Sequence, residues 1–139
     1  MPHIWIIVPV YNRKEMTKNC LHSLISQTHK DYTIIVIDDG STDGTEIMLR
    51  TQFPQVTVLK GDGNYFWTKA INTGVRKALE NCKQEDYILT LNNDLSVPAD
   101  YLNKMVHLAE KFPQSLIGSL ALSSFDQERI IDGGVKINC

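Results

Sequence analysis

The sequence predicts an α/β fold, a three-layer sandwich around a mostly parallel sheet. Three observations carry that expectation. Apolar runs rich in β-branched residues recur at 4–8, 33–37, 56–59 and 87–91, and the segments between them repeat their apolar residues at helical spacing. Each run is followed by a polar cluster: Pro9-Val10-Tyr11-Asn12, Asp38-Asp39-Gly40-Ser41, Gly61-Asp62-Gly63-Asn64 and Asn92-Asn93-Asp94. Strands that alternate with helices through short connections pair in parallel by right-handed crossovers. Clusters that follow parallel strands gather at one edge of the sheet, where open α/β folds bind ligands.

The run Ile-Trp-Ile-Ile-Val at 4–8 is continuous, the pattern of a mid-sheet strand buried on both faces. Asn12 with Glu15 three residues on suits a capping box. Met16, Cys20, Leu21, Leu24 and Ile25 then trace one helical face that ends near Gln27. Asp43 and Glu46 form a second capping pair, before a short helix that closes near Phe53-Pro54. After the third strand, Trp67, Ile71, Val75, Ala78 and Cys82 recur at spacings of three and four. The apolar fourth run reads as a central strand. Pro98 suits the first turn of a further helix, which Pro113 stops, and residues 116–122 read as a fifth strand. Near the end, Asp132-Gly133-Gly134 reads as a turn between short strands at 129–131 and 135–137.

With 139 residues and 42% hydrophobic content, the chain suits one compact domain over 1–139. A net charge of -2 without any Lys/Arg stripe argues against nucleic acid as a partner. Cys20, Cys82 and Cys139 lack the Cys-x-x-Cys spacing of a zinc or redox site and read as reduced thiols. The four histidines are scattered, and neither a Gly-x-Gly-x-x-Gly nor a Gly-Lys-Ser/Thr phosphate loop follows a strand. The N-terminus shows no basic leader, and no stretch approaches the roughly 20 apolar residues of a bilayer span. A cytoplasmic location is the expectation, with peripheral attachment at the inner face of a membrane left open.

Each cluster has a bland reading as well as a chemical one. A strand-end carboxylate such as Asp38 or Asp39 can accept from the N–H of a base or from ribose hydroxyls, or simply serve a capping turn. Asp94 with amide oxygens and diphosphate oxygens can hold Mg²⁺ or Mn²⁺, or belong to an Asx-rich turn. Gly61-Asp62-Gly63-Asn64 puts permissive glycines beside Tyr65, Phe66 and Trp67, whose rings suit sugars and bases or act as core anchors. Asn72 and Gly74 read as a polar contact and a close-packing point, or as merely tolerated interior residues.

Together, Ile7-Val8-Pro9-Val10-Tyr11-Asn12, the run from Ile37 to Thr45, and Leu91-Asn92-Asn93-Asp94 resemble the family 2 glycosyltransferases of GT-A fold, over about residues 3–122. Residues 61–74 are similar to rhamnosyltransferase-like members. The resemblance implies a strand order 3-2-1-4 and a nucleotide pocket bordered by Pro9, Tyr11 and Asn12. In it Asp39 contacts a pyrimidine base with Asp38 nearby, and Gly63, Asn64 and Asn72 shape the walls. Asp94 takes the last position of the family's Asp-x-Asp metal motif, with Asn92 at the first and Asn93 between them on the donor diphosphate. It further implies a divalent cation (Mg²⁺ or Mn²⁺), a UDP- or dTDP-sugar donor, a saccharide or lipid-linked acceptor, and transfer with inversion.

The catalytic base of the family lies beyond the metal motif, and neither Asp126, Glu128 nor Asp132 is marked as that base. The chain therefore reads as a donor-binding portion truncated before the acceptor-binding part, with self-association compatible. A non-catalytic α/β nucleotide-binding or interaction module is the alternative. A sugar-nucleotide pyrophosphorylase fits worse, because Pro9-Val10-Tyr11-Asn12 stands where a Gly-rich basic loop would be.

Overall fold

The computed structural model describes residues 1–132. The chain divides into two compact units, Met1–Asn103 and a second that begins at Lys104.

The first unit holds a four-stranded parallel sheet of β1 (Ile4–Val10), β2 (Tyr32–Asp38), β3 (Thr57–Lys60) and β4 (Tyr87–Thr90), in the order β3-β2-β1-β4. β1 pairs with β2 from Ile4↔Tyr32 to Val10↔Asp38, and with β4 from Ile4↔Tyr87 to Ile7↔Thr90. As its continuous apolar run implies, β1 is central and buried over almost its whole length. β4 departs from expectation: it is an edge strand among the described residues, and its burial alternates, with Ile88 and Thr90 exposed. A short apolar run fits an edge strand that has one covered face as well as a central one.

Helices α1 (Lys14–Ile25), α2 (Thr45–Gln52) and α3 (Phe66–Leu79) connect the strands, and α4 (Tyr101–Lys111) follows β4. One side of the sheet is closed by α3: Ile7, Ile35 and Ile37 pack with Ala70, Ile71 and Ala78. Each isoleucine buried this way contributes about 1.5–3 kcal/mol. Gly74 lets α3 come this close, since a Cβ there would overlap Ile7 Cγ2 and lie 2.7 Å from Ile37 Cδ1.

The capping pairs read from the sequence do not form as expected. The α1 N-terminus has Arg13 in the left-handed region and takes no cap from Asn12, and α2 begins after left-handed Gly44. Asp43 does cap, but across two loops: Oδ1 accepts from the N–H and hydroxyl of Thr45, and Oδ2 from Lys14 N–H at 2.9 Å. Glu46 pairs instead with Lys60 of β3.

In the second unit the expected fifth strand shrinks to β5 (Ala121–Leu122), which pairs antiparallel with β6 (Ile130–Asp132) and does not extend the parallel sheet. The pairing places residues 130–132 against 121–122, where sequence pattern alone suggested a partner at 135–137. That segment, the Gly133-Gly134 turn and Cys139 lie outside the described residues. No helix among the described residues is long and apolar enough to cross a membrane.

Candidate functional site

The parallel register puts the ends of β1, β2 and β4 side by side, and a cavity of about 460 Å³ opens at that carboxyl edge. Pro9, Tyr11, Asp39, Gly63, Asn92, Asn93 and Asp94 all line it, together with Val10, Arg13, Phe66, Trp67 and Ala70. The volume lies within the usual range for a small-molecule site. Asn12, Asp38, Asn64 and Asn72 do not line it.

Asp39 follows β2 directly and is only 5% exposed. A buried carboxylate needs compensating donors, and the turn after β3 supplies them. Oδ1 accepts Gly63 N–H at 2.9 Å, and Oδ2 accepts the N–H groups of Tyr65 and Phe66 at 2.8 and 3.0 Å. The turn closes onto β2 because Gly63, at φ 85, takes a conformation that few other residues adopt, and because Gly61 leaves no room for a side chain beside Asp39. The carboxylate thus fixes the entrance of α3, including Phe66, which has φ 51 and is 80% exposed at the cavity. Neither Phe66 nor Trp67 is a core anchor, although the helical phase of Trp67 with Ile71 allowed that reading. Trp67 is more than half exposed.

Asn12 and Asp38 shape the loops around the cavity. Asn12 Oδ1 accepts Thr42 N–H at 2.8 Å, while Asn12 N–H donates to Ser41 Oγ at 2.7 Å. Asp38 Oδ1 accepts Ser41 N–H. The Asn12 bonds tie the loop after β1 to the loop after β2, and the Asp38 bond closes the loop after β2 on itself. Asn64 is exposed in the turn, and Asn72 is exposed on α3.

The loop after β4 is anchored from beneath. Asn93 Nδ2 donates to buried Thr17 Oγ1 at 2.9 Å, the Cys20 thiol approaches Asn92 O, and Ser23 Oγ accepts Val97 N–H. Fully buried Gln27 completes the anchor, donating to Pro98 O and accepting Leu102 N–H. Burial, with a smaller push from Asp94, raises the Cys20 thiol to about 12, so it stays protonated and inert near neutral pH.

Above the anchor, Trp67 Nε1 donates to Asn92 Oδ1 at 2.9 Å, and Asp94 Oδ2 lies 3.3 Å from Arg13 Nη1. Among the described residues no three His, Cys, Asp or Glu side chains converge as a metal cage. What the cavity offers is one half-exposed carboxylate, Asp94, beside the amide of Asn93, whose hydrogen bond uses its nitrogen and leaves the oxygen as a donor atom. That set fits a hard cation of the Mg²⁺ or Mn²⁺ kind, which retains water and phosphate oxygens and needs only one or two protein carboxylates.

Arg13 is the lining residue that sequence reasoning passed over. Its signal was its place beside Asn12 in the first cluster, but nothing local shows that the backbone there turns left-handed and swings the side chain over the cavity.

Residues 5–131 match the family described as Glycosyl transferase family 2. The chain is 34% identical over 83 residues to Glycosyltransferase AglE of Haloferax volcanii, covering 56% of this chain and 27% of that protein. It is 32% identical over 114 residues to the undecaprenyl-phosphate 4-deoxy-4-formamido-L-arabinose transferase of Pseudomonas fluorescens, covering 76% of this chain and 32% of that one. The chain therefore spans about a third or less of the length of these curated relatives. Among solved structures, the mannosyltransferase PcManGT from Pyrobaculum calidifontis, in complex with GDP-Man and Mn²⁺, superposes with a TM-score of 0.69 at 20% identity, over 91% of this chain and 37% of that chain. The sheet order is that of the GT-A fold, and the chain belongs to glycosyltransferase family 2.

Proposed function

We propose that the cavity binds a nucleoside-diphosphate sugar, UDP- or dTDP-linked, and that the chain is the donor-binding part of an enzyme that transfers the sugar with inversion. The acceptor is a saccharide or a lipid-linked compound, the second class favoured by the undecaprenyl-phosphate transferase among the relatives. The carrying observation is that Asp39 and Asp94 line one cavity from different βα units.

Base and diphosphate then have separate ends. Asp39 Oδ1 accepts a single backbone N–H, so it retains acceptor capacity for an N–H on the edge of a base, with Pro9 and Tyr11 bordering the ring. Asn12 and Asp38 act on the nucleotide through the loops they shape, and Asn64 and Asn72 contribute from beside the pocket. At the other end, Asp94 with Asn93 and Asn92 would hold Mg²⁺ or Mn²⁺. That ion supplies charge stabilisation to the departing diphosphate. Phe66 and Trp67 line the cavity with largely exposed side chains, and the sugar would lie beside them. Within the donor class, residues 61–74 favour a rhamnosyl sugar. The deprotonating base is not assigned to any of the described residues.

A thermal-melting screen against UDP, GDP, CDP and dTDP with Mn²⁺ tests the reading. Ligand at 100 times its dissociation constant adds about 2.7 kcal/mol of stability, a readily measured rise in melting temperature. The expected result is a rise with UDP or dTDP. No rise with any nucleotide would favour the non-catalytic module, in which Asp39 and Asp94 are only turn residues.

A further inference from the structure

Among the described residues Arg13 is the one cationic side chain lining the cavity, and its position is held against backbone strain. Asn12 and Arg13 are consecutive non-glycine residues at φ 56 and 59. Such conformations persist only where the surroundings over-determine them, and they concentrate at functional sites. Here three bonds to one neighbouring loop enforce them: Asn12 N–H to Ser41 Oγ, Thr42 N–H to Asn12 Oδ1, and Lys14 N–H to Asp43 Oδ2. The result is a guanidinium 3.3 Å from Asp94 Oδ2. As a purely structural pair this would do little, because the side chains are 61% and 40% exposed. A solvated pair of that kind shifts an equilibrium by at most about five-fold.

Resting on the donor-site reading above, we propose that Arg13 is an exchangeable counter-ion of the site. With no nucleotide present it neutralises Asp94 and disfavours a cation there. When a nucleoside diphosphate arrives, Arg13 releases Asp94 and turns its guanidinium onto the diphosphate oxygens, whose geometry matches its planar fork. The weakness of the pair is what makes the exchange possible. Among the described residues Asp94 is the sole half-exposed carboxylate lining the cavity, since Asp39 is buried under three backbone N–H groups. One arginine therefore controls the carboxylate open to a cation, and cation and nucleotide bind as a coupled pair.

The test uses the whole chain as wild type, Arg13→Gln, Arg13→Lys and Asp94→Asn. Mn²⁺ binding without nucleotide is read by electron paramagnetic resonance of the free ion, and UDP binding in Mn²⁺ by calorimetry. Arg13→Gln should tighten Mn²⁺ alone about three-fold and weaken UDP in Mn²⁺ about ten-fold. Arg13→Lys should keep Mn²⁺ weak and restore UDP binding only in part, because an ammonium lacks the fork. Both affinities falling together in Arg13→Gln, or neither changing, would overturn the proposal. If wild-type UDP affinity is indifferent to Mn²⁺ and to Asp94→Asn, the donor-site reading falls and the role of Arg13 with it. If that coupling is intact while Arg13→Gln fails to move the two affinities in opposite directions, the role of Arg13 alone is overturned.

Discussion

Asp39 and Asp94 face one cavity but are held by opposite means. Asp39 is buried and accepts three backbone N–H groups from the turn after β3. Asp94 is half-exposed and pairs with Arg13. Asp39 is thus fixed in place, and Asp94 is free to exchange partners. That division suits a site in which one end recognises a rigid ring and the other takes charge that comes and goes.

The fixed end should be costly to disturb. Asp39→Asn replaces one acceptor oxygen with an NH₂ group facing the N–H groups of the turn. Leaving a buried donor unpaired costs about 1–3 kcal/mol. Urea denaturation should show a loss of that size, and Tyr65 and Phe66 amides should exchange hydrogen faster than those of β1.

Gly74→Ala tests the packing of α3. In an exposed helix this change would stabilise by about 1 kcal/mol. Here the methyl enters the space of Ile7 and Ile37, and overpacking outweighs propensity, giving a net loss of about 1–2 kcal/mol in thermal or urea melts.

Asp43 serves the N-termini of α1 and α2, so Asp43→Ala should cost about 1–2 kcal/mol at pH 7. The effect should depend on pH. Desolvation raises the Asp43 carboxyl, but hydrogen bonds from Thr45 and Lys14 outweigh it and hold the group below its usual 3.8. A carboxylate lowered on folding contributes its full stability above the unfolded value and loses it as pH falls through the folded one. The gap between wild type and Asp43→Ala in urea midpoints should be constant from pH 7 to about 5 and shrink below 3.8.

Much of this architecture was legible because it depends on local pattern. Burial on both faces made the run at 4–8 a central strand, and the polar clusters marked the edge where the cavity opens. The caps were misread because the partner of Lys14 N–H, Asp43, lies in another βα unit, and a capping box looks only three residues ahead. Arg13 was missed because a left-handed pair at Asn12 and Arg13 is imposed by Ser41, Thr42 and Asp43, not by its own residue types. The stretch at 116–122 was overextended because apolar content alone does not distinguish a sheet strand from the short antiparallel pair with 130–132.

The central claim, that one nucleotide spans the gap from Asp39 to Asp94, is tested most directly by amide shift mapping of the ¹⁵N-labelled chain titrated with UDP and Mg²⁺. The account expects the backbone signals of Gly63, Phe66, Asn93 and Asp94 to move together along one binding curve, while those of His3, Asp31 and Asp86 at the opposite edge stay still. Shifts confined to that opposite edge, or movement at the Gly63 turn with none at Asp94, would contradict it.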